Sequence, residues 1–249
     1  MPVAKYLIAK GFDVKGSTRS PERLTNLQEN DVQPFLVDLA KSDFGLASFF
    51  DSDILIINIP FKGVSEYSAL IEIIKNKKIT HVIFISSTSV YTNKTGVITE
   101  ADLGYLKPCA LLEIENLLTS NENFRTTIIR FGGLIGYSRN PALFFKNNRS
   151  VKSPESTVNM IHRDDCVNII ELIIKNKVWG EIYNCCADTH PTKREFYSYV
   201  ATMSGLPVPV FSNYNDFSNK EISNKKVKKD LNYHFVYPNL LNLKYLEKN

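Results

Sequence analysis

The chain has 249 residues, of which 43% are hydrophobic and 22% are charged, and its formal net charge is +4. These proportions are typical of a globular protein and exclude a disordered or fibrous chain. The charge is too small to indicate a nucleic-acid partner. The four cysteines include no CxxC pair, so we expect neither a zinc site nor a disulfide framework. We therefore expect the protein to lie in a reducing compartment.

Other sequence features bear on the location of the protein. No apolar run approaches the roughly 20 residues that a membrane-spanning helix needs. The chain does not open with a charged segment followed by an apolar one, the pattern of a secretory signal. We therefore expect a cytoplasmic protein with no membrane partner and, because its histidines are scattered, no metal site.

Short runs rich in β-branched residues alternate with amphipathic stretches along the chain. The runs predict strands at residues 12–17, 34–37, 54–59, 82–86, 126–130 and 181–184. The amphipathic stretches predict helices at residues 3–10, 21–29, 44–50, 64–76, 111–118 and 193–203, and one that Asp164 or Asp165 caps and that runs to residue 175. This alternation predicts an α/β fold with a Rossmann-type, doubly wound parallel sheet and right-handed connections.

The same pattern divides the chain in two. Residues 1–130 carry the regular alternation and predict the sheet domain. After Arg130, glycines at positions 132, 133 and 136 interrupt the pattern, and residues 147–156 are polar. Residues 131–249 therefore predict a smaller C-terminal lobe that packs on the first part and does not fold independently.

The N-terminal residues do not match the usual opening of this fold. A doubly wound nucleotide-binding domain begins with a strand, a glycine-rich turn and a helix. Here residues 1–7 already have a helical pattern, and no GxGxxG occurs in the chain. Either the strands are ordered differently, or the first strand and its phosphate-binding turn, about 10–15 residues, are missing ahead of Met1. The regular order of the later elements favours the missing segment.

Several segments resemble one protein family. They are Ile-Phe-Ile-Ser-Ser-Thr-Ser-Val-Tyr at 83–91, Asn-Met-Ile-His-Arg-Asp-Asp at 159–165, Ile-Tyr-Asn at 182–184, His-Pro-Thr-Lys-Arg-Glu-Phe-Tyr at 190–197 and Leu-Asn-Tyr-His-Phe at 231–235. In this order they resemble the extended short-chain dehydrogenase/reductase superfamily, in particular its atypical subgroup of nucleoside-diphosphate-sugar epimerase-like proteins. The resemblance implies NAD(P) binding and hydride transfer.

The chain departs from that superfamily at its catalytic pair. The superfamily carries Tyr-x-x-x-Lys on one helix face, where the ammonium lowers the pKa of the tyrosine that exchanges a proton with the substrate. Alignment on Glu115 puts Lys107 at the tyrosine position and Leu111 at the lysine position. Tyr105 is close to the tyrosine position, and we predict that it acts as a substitute acid.

Cofactor contacts are predicted at the carboxyl ends of the strands, where open α/β sheets bind ligands. The residues that the resemblance assigns there are Ser17, Thr18, Arg19, Asp38, Leu39, Ile59, Pro60 and Ser86. Arg19 stands where an acidic residue often binds the ribose of NAD, and guanidinium groups bind phosphate, so NADP is favoured over NAD. The structural alternatives are a surface arginine, a turn-forming aspartate and a strand-ending proline.

Substrate contacts are predicted on the other side of the serine-rich strand. Ser87 matches the catalytic hydroxyl of the superfamily, which hydrogen-bonds the substrate oxygen; a strand-ending serine that bonds its own backbone is the alternative. Tyr91, Asn159 and His162 are predicted to contact the substrate. The structural alternative for Tyr91 is a buried aromatic residue whose hydroxyl is hydrogen-bonded within the protein. The structural alternative for His162 is a packed histidine beside a helix-capping aspartate.

Together, these features predict an NAD(P)-dependent oxidoreductase or epimerase. It would act by hydride transfer on a small molecule, either a sugar nucleotide or a small carbonyl compound, with the cofactor supplying the hydride chemistry. The alternative is a non-catalytic NADP-binding protein with a regulatory or redox-sensing role, which the absent Tyr-x-x-x-Lys pair motivates. We expect a monomer or a homodimer.

Overall fold

The structure, a computed structural model, describes residues 1–39, 48–60, 63–93, 95–145, 150–212 and 218–243. The helices are α1 (Pro2–Ala9), α2 (Leu24–Gln28), α3 (Val64–Ile74), α4 (Ala110–Thr119), α5 (Arg163–Lys175), α6 (Lys193–Met203) and α7 (Lys225–Leu231). The strands are β1 (Lys15–Thr18), β2 (Gln33–Leu36), β3 (Ile54–Ile57), β4 (His81–Ser87), β5 (Gly96–Ile98), β6 (Arg125–Phe131), β7 (Gly133–Ile135), β8 (Val151–Lys152), β9 (Met160–His162), β10 (Ile182–Cys185), β11 (Phe211–Ser212) and β12 (Lys220–Ile222).

The chain groups into two compact units, neither of which is continuous in sequence. Unit 1 comprises Met1–Ile85, Pro108–Ile128 and Ile170–Glu181, and unit 2 comprises Ser86–Lys107, Ile129–Ile169 and Ile182–Asn249. Strands β4 and β6 each run from unit 1 into unit 2. The boundary predicted at residue 130 falls inside β6, and as a division into domains it stays a prediction.

Unit 1 is built from parallel strands and the helices that connect them. Strands β1 and β2 pair in parallel, with Thr18 opposite Leu36. Strand β3 pairs in parallel with β4 and ends a four-stranded sheet of order β10-β6-β4-β3. The sequence of β3, Ile-Leu-Ile-Ile, is apolar throughout, as expected of a strand covered on both faces. Helices α3 and α4 bury aliphatic side chains, among them Ile74 and Ile114.

Unit 2 is built from short parallel strand pairs around a second apolar core. The pairs are β5 with β12, β7 with β9, and β8 with β11. Ile135, Phe196 and Leu240 belong to this core. Helix α6 begins with a capping box, in which the hydroxyl of Thr192 accepts from the amide of Glu195 and the Glu195 carboxylate accepts from the amide of Thr192.

The predicted order of elements agrees with the structure. The six predicted strands correspond to β1, β2, β3, β4, β6 and β10, and the helix predictions correspond to α1 through α6 with one exception. The helix predicted at residues 44–50 lies mostly outside the described residues, and residues 48–50 form a turn and a bend. The mixed α/β fold with a Rossmann-type parallel sheet is therefore confirmed.

The predicted first strand and glycine-rich turn stay a prediction. Among the described residues, β1 pairs with β2 alone and β3 pairs with β4 alone. Each of these strands therefore has one edge whose backbone groups lack a strand partner in the described part of the chain. A further parallel strand would find its hydrogen-bonding groups at such an edge.

The cysteines behave as small apolar side chains. Cys166, Cys185 and Cys186 are buried, all four thiols are free, and burial raises the pKa of each buried thiol. The described residues contain no cluster of three His, Cys, Asp or Glu side chains that could hold a metal ion. Within the same residues, no helix has both the length and the apolar character that crossing a bilayer requires.

Candidate functional site

The predicted cofactor residues of unit 1 lie at the carboxyl ends of its strands. Ser17 and Thr18 end β1, and Arg19 follows them in an exposed position. The amide of Val37 donates to the carbonyl of Thr18 at 2.9 Å, which extends the parallel β1–β2 pairing to the end of both strands. Parallel strands end at the same edge of a sheet, so the structure brings Arg19 and Asp38 to neighbouring positions.

The side chains at this edge include hydrogen-bond donors of the kind that bind phosphate groups. The Arg19 guanidinium carries five N–H donors and makes no hydrogen bond or ion pair with any other described residue. The hydroxyl of Thr18 accepts from the amide of Ser20 at 3.2 Å and holds the turn that presents Arg19. Hydroxyl and guanidinium donors thus lie together on one turn at the carboxyl end of β1.

Ile59 and Pro60 follow β3, and both are exposed. Ile59 is 39% exposed, a large fraction for an isoleucine. An exposed apolar pair at a carboxyl strand end suits contact with a planar ring. The contact of these two residues with a cofactor stays a prediction.

Unit 2 begins with the two serines that end β4. Ser86 is buried, whereas Ser87 is half-buried and its Oγ accepts from the amide of Ser89 at 3.1 Å. This bond caps the one-turn 3₁₀ helix Thr88–Val90. A hydroxyl that accepts in this way still has its own proton to donate. Ser87 can therefore cap the turn and at the same time donate to a substrate oxygen.

The tyrosine position of the superfamily lies beside the turn that Ser87 begins. The amide of Lys107 donates to the carbonyl of Val90 at 2.9 Å, and the amide of Thr92 donates to the carbonyl of Tyr105 at 2.7 Å. This short antiparallel ladder fixes residues 105–107 against residues 90–92. The residue that the sequence alignment places at the tyrosine position is thus held by backbone hydrogen bonds, and it is Lys107.

Tyr91 lies in the core of unit 2, at 1% exposure. Its hydroxyl accepts from Arg130 Nη1 at 2.7 Å and donates to Asn184 Oδ1 at 3.0 Å, and the Arg130 Cζ lies 5.1 Å from the centroid of the tyrosine ring. The backbone amide of Asn184 donates to Glu100 Oε1 at 2.7 Å. Burial raises the pKa of the Glu100 carboxyl. These contacts support the structural alternative for Tyr91, and its contact with a substrate stays a prediction.

Asn159 connects β9 to β12. Its Nδ2 donates to the carbonyl of Lys220 and its Oδ1 accepts from the amide of Ile222, both at 2.8 Å. Its own carbonyl accepts from the amide of Gly133 at 2.8 Å. The side chain of Asn159 thus fixes the first and last residues of β12. Its predicted contact with a substrate stays a prediction.

His162 is 1% exposed and packs against two tyrosine rings. The centroid of the His162 ring lies 3.8 Å from the centroid of the Tyr237 ring and 5.5 Å from that of the Tyr137 ring. The Nδ1 atom of His162 accepts a hydrogen bond from the backbone amide of Asp164 at 3.2 Å. Gly136 has a φ of 111°, and a Cβ at this position would overlap the imidazole. Burial lowers the pKa of His162 from 6.5 to about 4, against the opposing charge of Asp164.

The low pKa of His162 predicts a loss of stability in acid. The folded protein keeps this imidazole neutral down to about pH 4, whereas the unfolded chain protonates it below its ordinary pKa of 6.5. Its contribution to the free energy of unfolding is therefore complete above pH 6.5 and falls by roughly 3 kcal/mol between pH 6.5 and 4. Urea unfolding across this range measures the loss. His162→Gln should flatten that pH dependence, and His234→Gln, at an exposed histidine, should leave it unchanged.

The start of α5 differs from the prediction. Helix α5 begins at Arg163, which puts His162 at the capping position. Asp164 and Asp165 therefore lie in its first turn, and the predicted cap is wrong by two or three positions. Carboxylates in a first helical turn stabilise the positive end of the helix dipole. Asp165 is fully buried and accepts from the Tyr233 hydroxyl at 2.6 Å and from two amides, at residues 236 and 237, at 2.7 and 3.2 Å. It therefore ties residues 233–237 to the start of α5.

Three polar residues of unit 2 were not predicted from the sequence. Arg130 lies within the apolar run of β6, and a charge inside such a run indicates buried partners, so this signal was available. Glu100 and Lys220 carry no comparable local pattern. Lys220 contacts residues 91 and 93, which precede it by 129 and 127 positions, and only the folded chain shows this proximity.

Comparison with known proteins adds independent evidence. A family model described as NAD(P)H-binding matches residues 2–176. Protein YeeZ of Escherichia coli K12 is 28% identical over 261 aligned positions, which cover 97% of this chain and 93% of YeeZ. The structure of a conserved protein of unknown function from Silicibacter pomeroyi DSS matches with a TM-score of 0.81 at 20% identity, covering 96% of this chain and 91% of that one.

A sugar-nucleotide epimerase has a similar fold. The UDP-glucuronic acid 4-epimerase of Bacillus cereus, solved with UDP-glucuronic acid and NAD, matches with a TM-score of 0.76 at 18% identity, covering 98% of this chain and 94% of that one. The parallel strands and the polar carboxyl ends of β1 and β2 define a Rossmann-type dinucleotide-binding fold. The chain belongs to the NAD(P)H-binding family, whose model matches well over half of it. The family confirms the predicted membership of an NAD(P)-binding class, and the similarity to the solved epimerase is one of fold.

Proposed function

We propose that the protein is an NADP-dependent oxidoreductase or epimerase that acts on a sugar nucleotide or a small carbonyl compound. The observation that carries the proposal is the edge of unit 1 at which Ser17 and Thr18 end the parallel strand β1 and Arg19 follows it, with a guanidinium that no other described residue pairs. The similar Bacillus cereus epimerase, solved with a sugar nucleotide and NAD, supports the substrate class. When bound, the cofactor would supply the hydride chemistry.

The residues of the two units have separate roles in this proposal. In unit 1, Arg19 binds the 2′-phosphate of the cofactor and the hydroxyls of Ser17 and Thr18 bind its ribose. In unit 2, Ser87 donates a hydrogen bond to the substrate oxygen at which charge develops. Tyr105, which shares the ladder that holds residues 105–107, is the proposed proton donor. The expected location is the cytoplasm.

Arg19→Gln tests the cofactor proposal through nucleotide selectivity. Loss of charge-assisted hydrogen bonds to a phosphate should raise the Kd for NADPH about 10- to 100-fold and leave the Kd for NADH within about twofold. Titration monitored by the fluorescence of the reduced nicotinamide gives both constants. Arg23→Gln is the matched control, because Arg23 is exposed and ends the next 3₁₀ turn. An equal rise in the Kd for NADPH and the Kd for NADH in Arg19→Gln would show that the guanidinium does not bind the 2′-phosphate.

A second candidate function is non-catalytic NADP binding in a regulatory or redox-sensing role. The observation that favours it is the lysine at the tyrosine position, on a ladder that is otherwise intact. Saturable NADPH binding without oxidation, across a panel of carbonyl compounds and sugar nucleotides, would support this candidate. Turnover of any member of the panel would exclude it.

A further inference from the structure

Two lysines of unit 2 lie beside residues 90–93, which end and follow the 3₁₀ turn that Ser87 caps. The backbone of Lys107 pairs with Val90, the last residue of that 3₁₀ turn. A 3₁₀ helix rises about 2 Å per residue, so the backbone of Lys107 lies within roughly 10 Å of Ser87. Lys220, the first residue of β12, extends its Nζ to 3.3 Å from Asn93 Oδ1 and 3.5 Å from the carbonyl oxygen of Tyr91.

Lys220 extends from a fixed strand. Its carbonyl accepts from Thr157 Oγ1 and from Asn159 Nδ2, both at 2.8 Å, and its backbone is in register with Gly96 of β5. The ammonium has three N–H donors, and its two hydrogen bonds are long. At least one donor of a well-positioned, half-buried ammonium therefore remains available to a ligand.

Within the described part of the chain, the two positive charges have no carboxylate partner. Among the residues that the structure describes, neither ammonium lies within ion-pair distance of a carboxylate. Burial, and after it the charge of Lys107, lowers the pKa of the Lys220 ammonium. Like charges brought together in a partly desolvated place repel, and an anion that contacts both would replace this repulsion with attraction.

We propose that Lys107 and Lys220 form an oxyanion-binding subsite beside Ser87, and that the substrate carries a carboxylate or a phosphate group there. Lysine binds such groups as a compact point charge, so either oxyanion suits the pair. The inference rests on the proposed function only in taking Ser87 as the group that faces the reacting oxygen. A neutral aldehyde or sugar would bring no negative charge to the two ammonium groups, which have no carboxylate partner among the described residues.

Calorimetric titration of the full chain with sodium phosphate and with sodium glucuronate tests the subsite, with glucose as the neutral match of glucuronate. At least one oxyanion should bind saturably, and glucose should not. The phosphate and glucuronate arms distinguish the two kinds of oxyanion. Lys107→Met and Lys220→Met should each weaken this binding about tenfold. Lys229→Met, at an exposed lysine of α7, is the matched control and should stay within about twofold.

Three outcomes would overturn the subsite. They are the absence of saturable binding of either oxyanion, unchanged binding in both lysine variants, and loss of binding in Arg19→Gln instead. If Lys220→Met fails to fold, Lys220→Arg takes its place. This variant keeps the positive charge and should therefore keep oxyanion binding. Loss of oxyanion binding in a folded Lys220→Arg variant would contradict the subsite. NADPH titration of the same proteins distinguishes the two proposals. If the protein binds an oxyanion through the lysines but does not bind NADPH, the cofactor proposal is contradicted and the subsite is not.

Discussion

Ser87→Ala is expected to lower kcat/KM for NADPH-dependent reduction about 100- to 1000-fold while leaving the Kd for NADPH within about twofold. The hydroxyl of Ser87 accepts from the amide of Ser89 and keeps its own proton for a substrate oxygen. A donor fixed by such a bond stabilises developing negative charge without reorganisation, so its loss acts on the transition state. The measurement is oxidation of NADPH with a substrate found in the panel of carbonyl compounds and sugar nucleotides.

The control for this variant is Ser89→Ala, in the same 3₁₀ turn. Ser89 uses its amide in the capping bond, so removal of its hydroxyl leaves that bond in place. Its kcat/KM should stay within about twofold of the wild-type value. Thermal melts of both variants separate loss of the cap from loss of the donor. Wild-type kcat/KM in Ser87→Ala would show that the serine only caps its turn.

Asp165→Ala is expected to lower the free energy of unfolding by about 3–5 kcal/mol. Asp165 is fully buried, and the Tyr233 hydroxyl and two backbone amides donate to its carboxylate. Alanine removes the acceptor of all three donors and opens a cavity at the start of α5. Because the carboxylate ties residues 233–237 to that helix, the packing of Tyr237 on His162 should also loosen. Urea unfolding gives the free energy.

The control for Asp165→Ala is its neighbour in the same helical turn. Asp164 is 32% exposed and accepts from the Tyr137 hydroxyl at 2.9 Å at the protein surface. Asp164→Ala should therefore cost about 1 kcal/mol or less. Asp165→Asn, which keeps one acceptor oxygen, should lie between the two alanine variants. Equal unfolding midpoints for Asp164→Ala and Asp165→Ala would contradict the account of the buried carboxylate.

The order of elements was predictable because it depends on local patterns. Apolar runs of strand length, such as Ile54–Ile57, are separated by amphipathic stretches whose period fits one buried helix face, as in α3. The predicted bounds of the strands agree with the structure to within three residues. The serine pair at 86 and 87 was predictable as a strand end for the same reason, and the structure places it there.

The polar contacts of unit 2 were not predictable, because their partners are distant in sequence. The hydrogen bond from Arg130 to Tyr91 spans 39 positions, and the approach of Lys220 to residue 91 spans 129. No periodicity encodes such pairs. The division into units also depends on contacts between distant residues. Each unit is made of three separate segments, and β4 and β6 contribute residues to both units, so a single boundary along the chain cannot describe this division.

The exposed turn after β1 and the carboxyl end of β2 are the central elements of the functional account. Amide hydrogen exchange of the full chain, followed by mass spectrometry with and without saturating NADPH, tests them most directly. The account predicts saturable binding with a Kd in the micromolar range and slower exchange in peptides that cover residues 17–19 and 38–39. Unchanged exchange in both segments at millimolar NADPH and at millimolar NADH would contradict it.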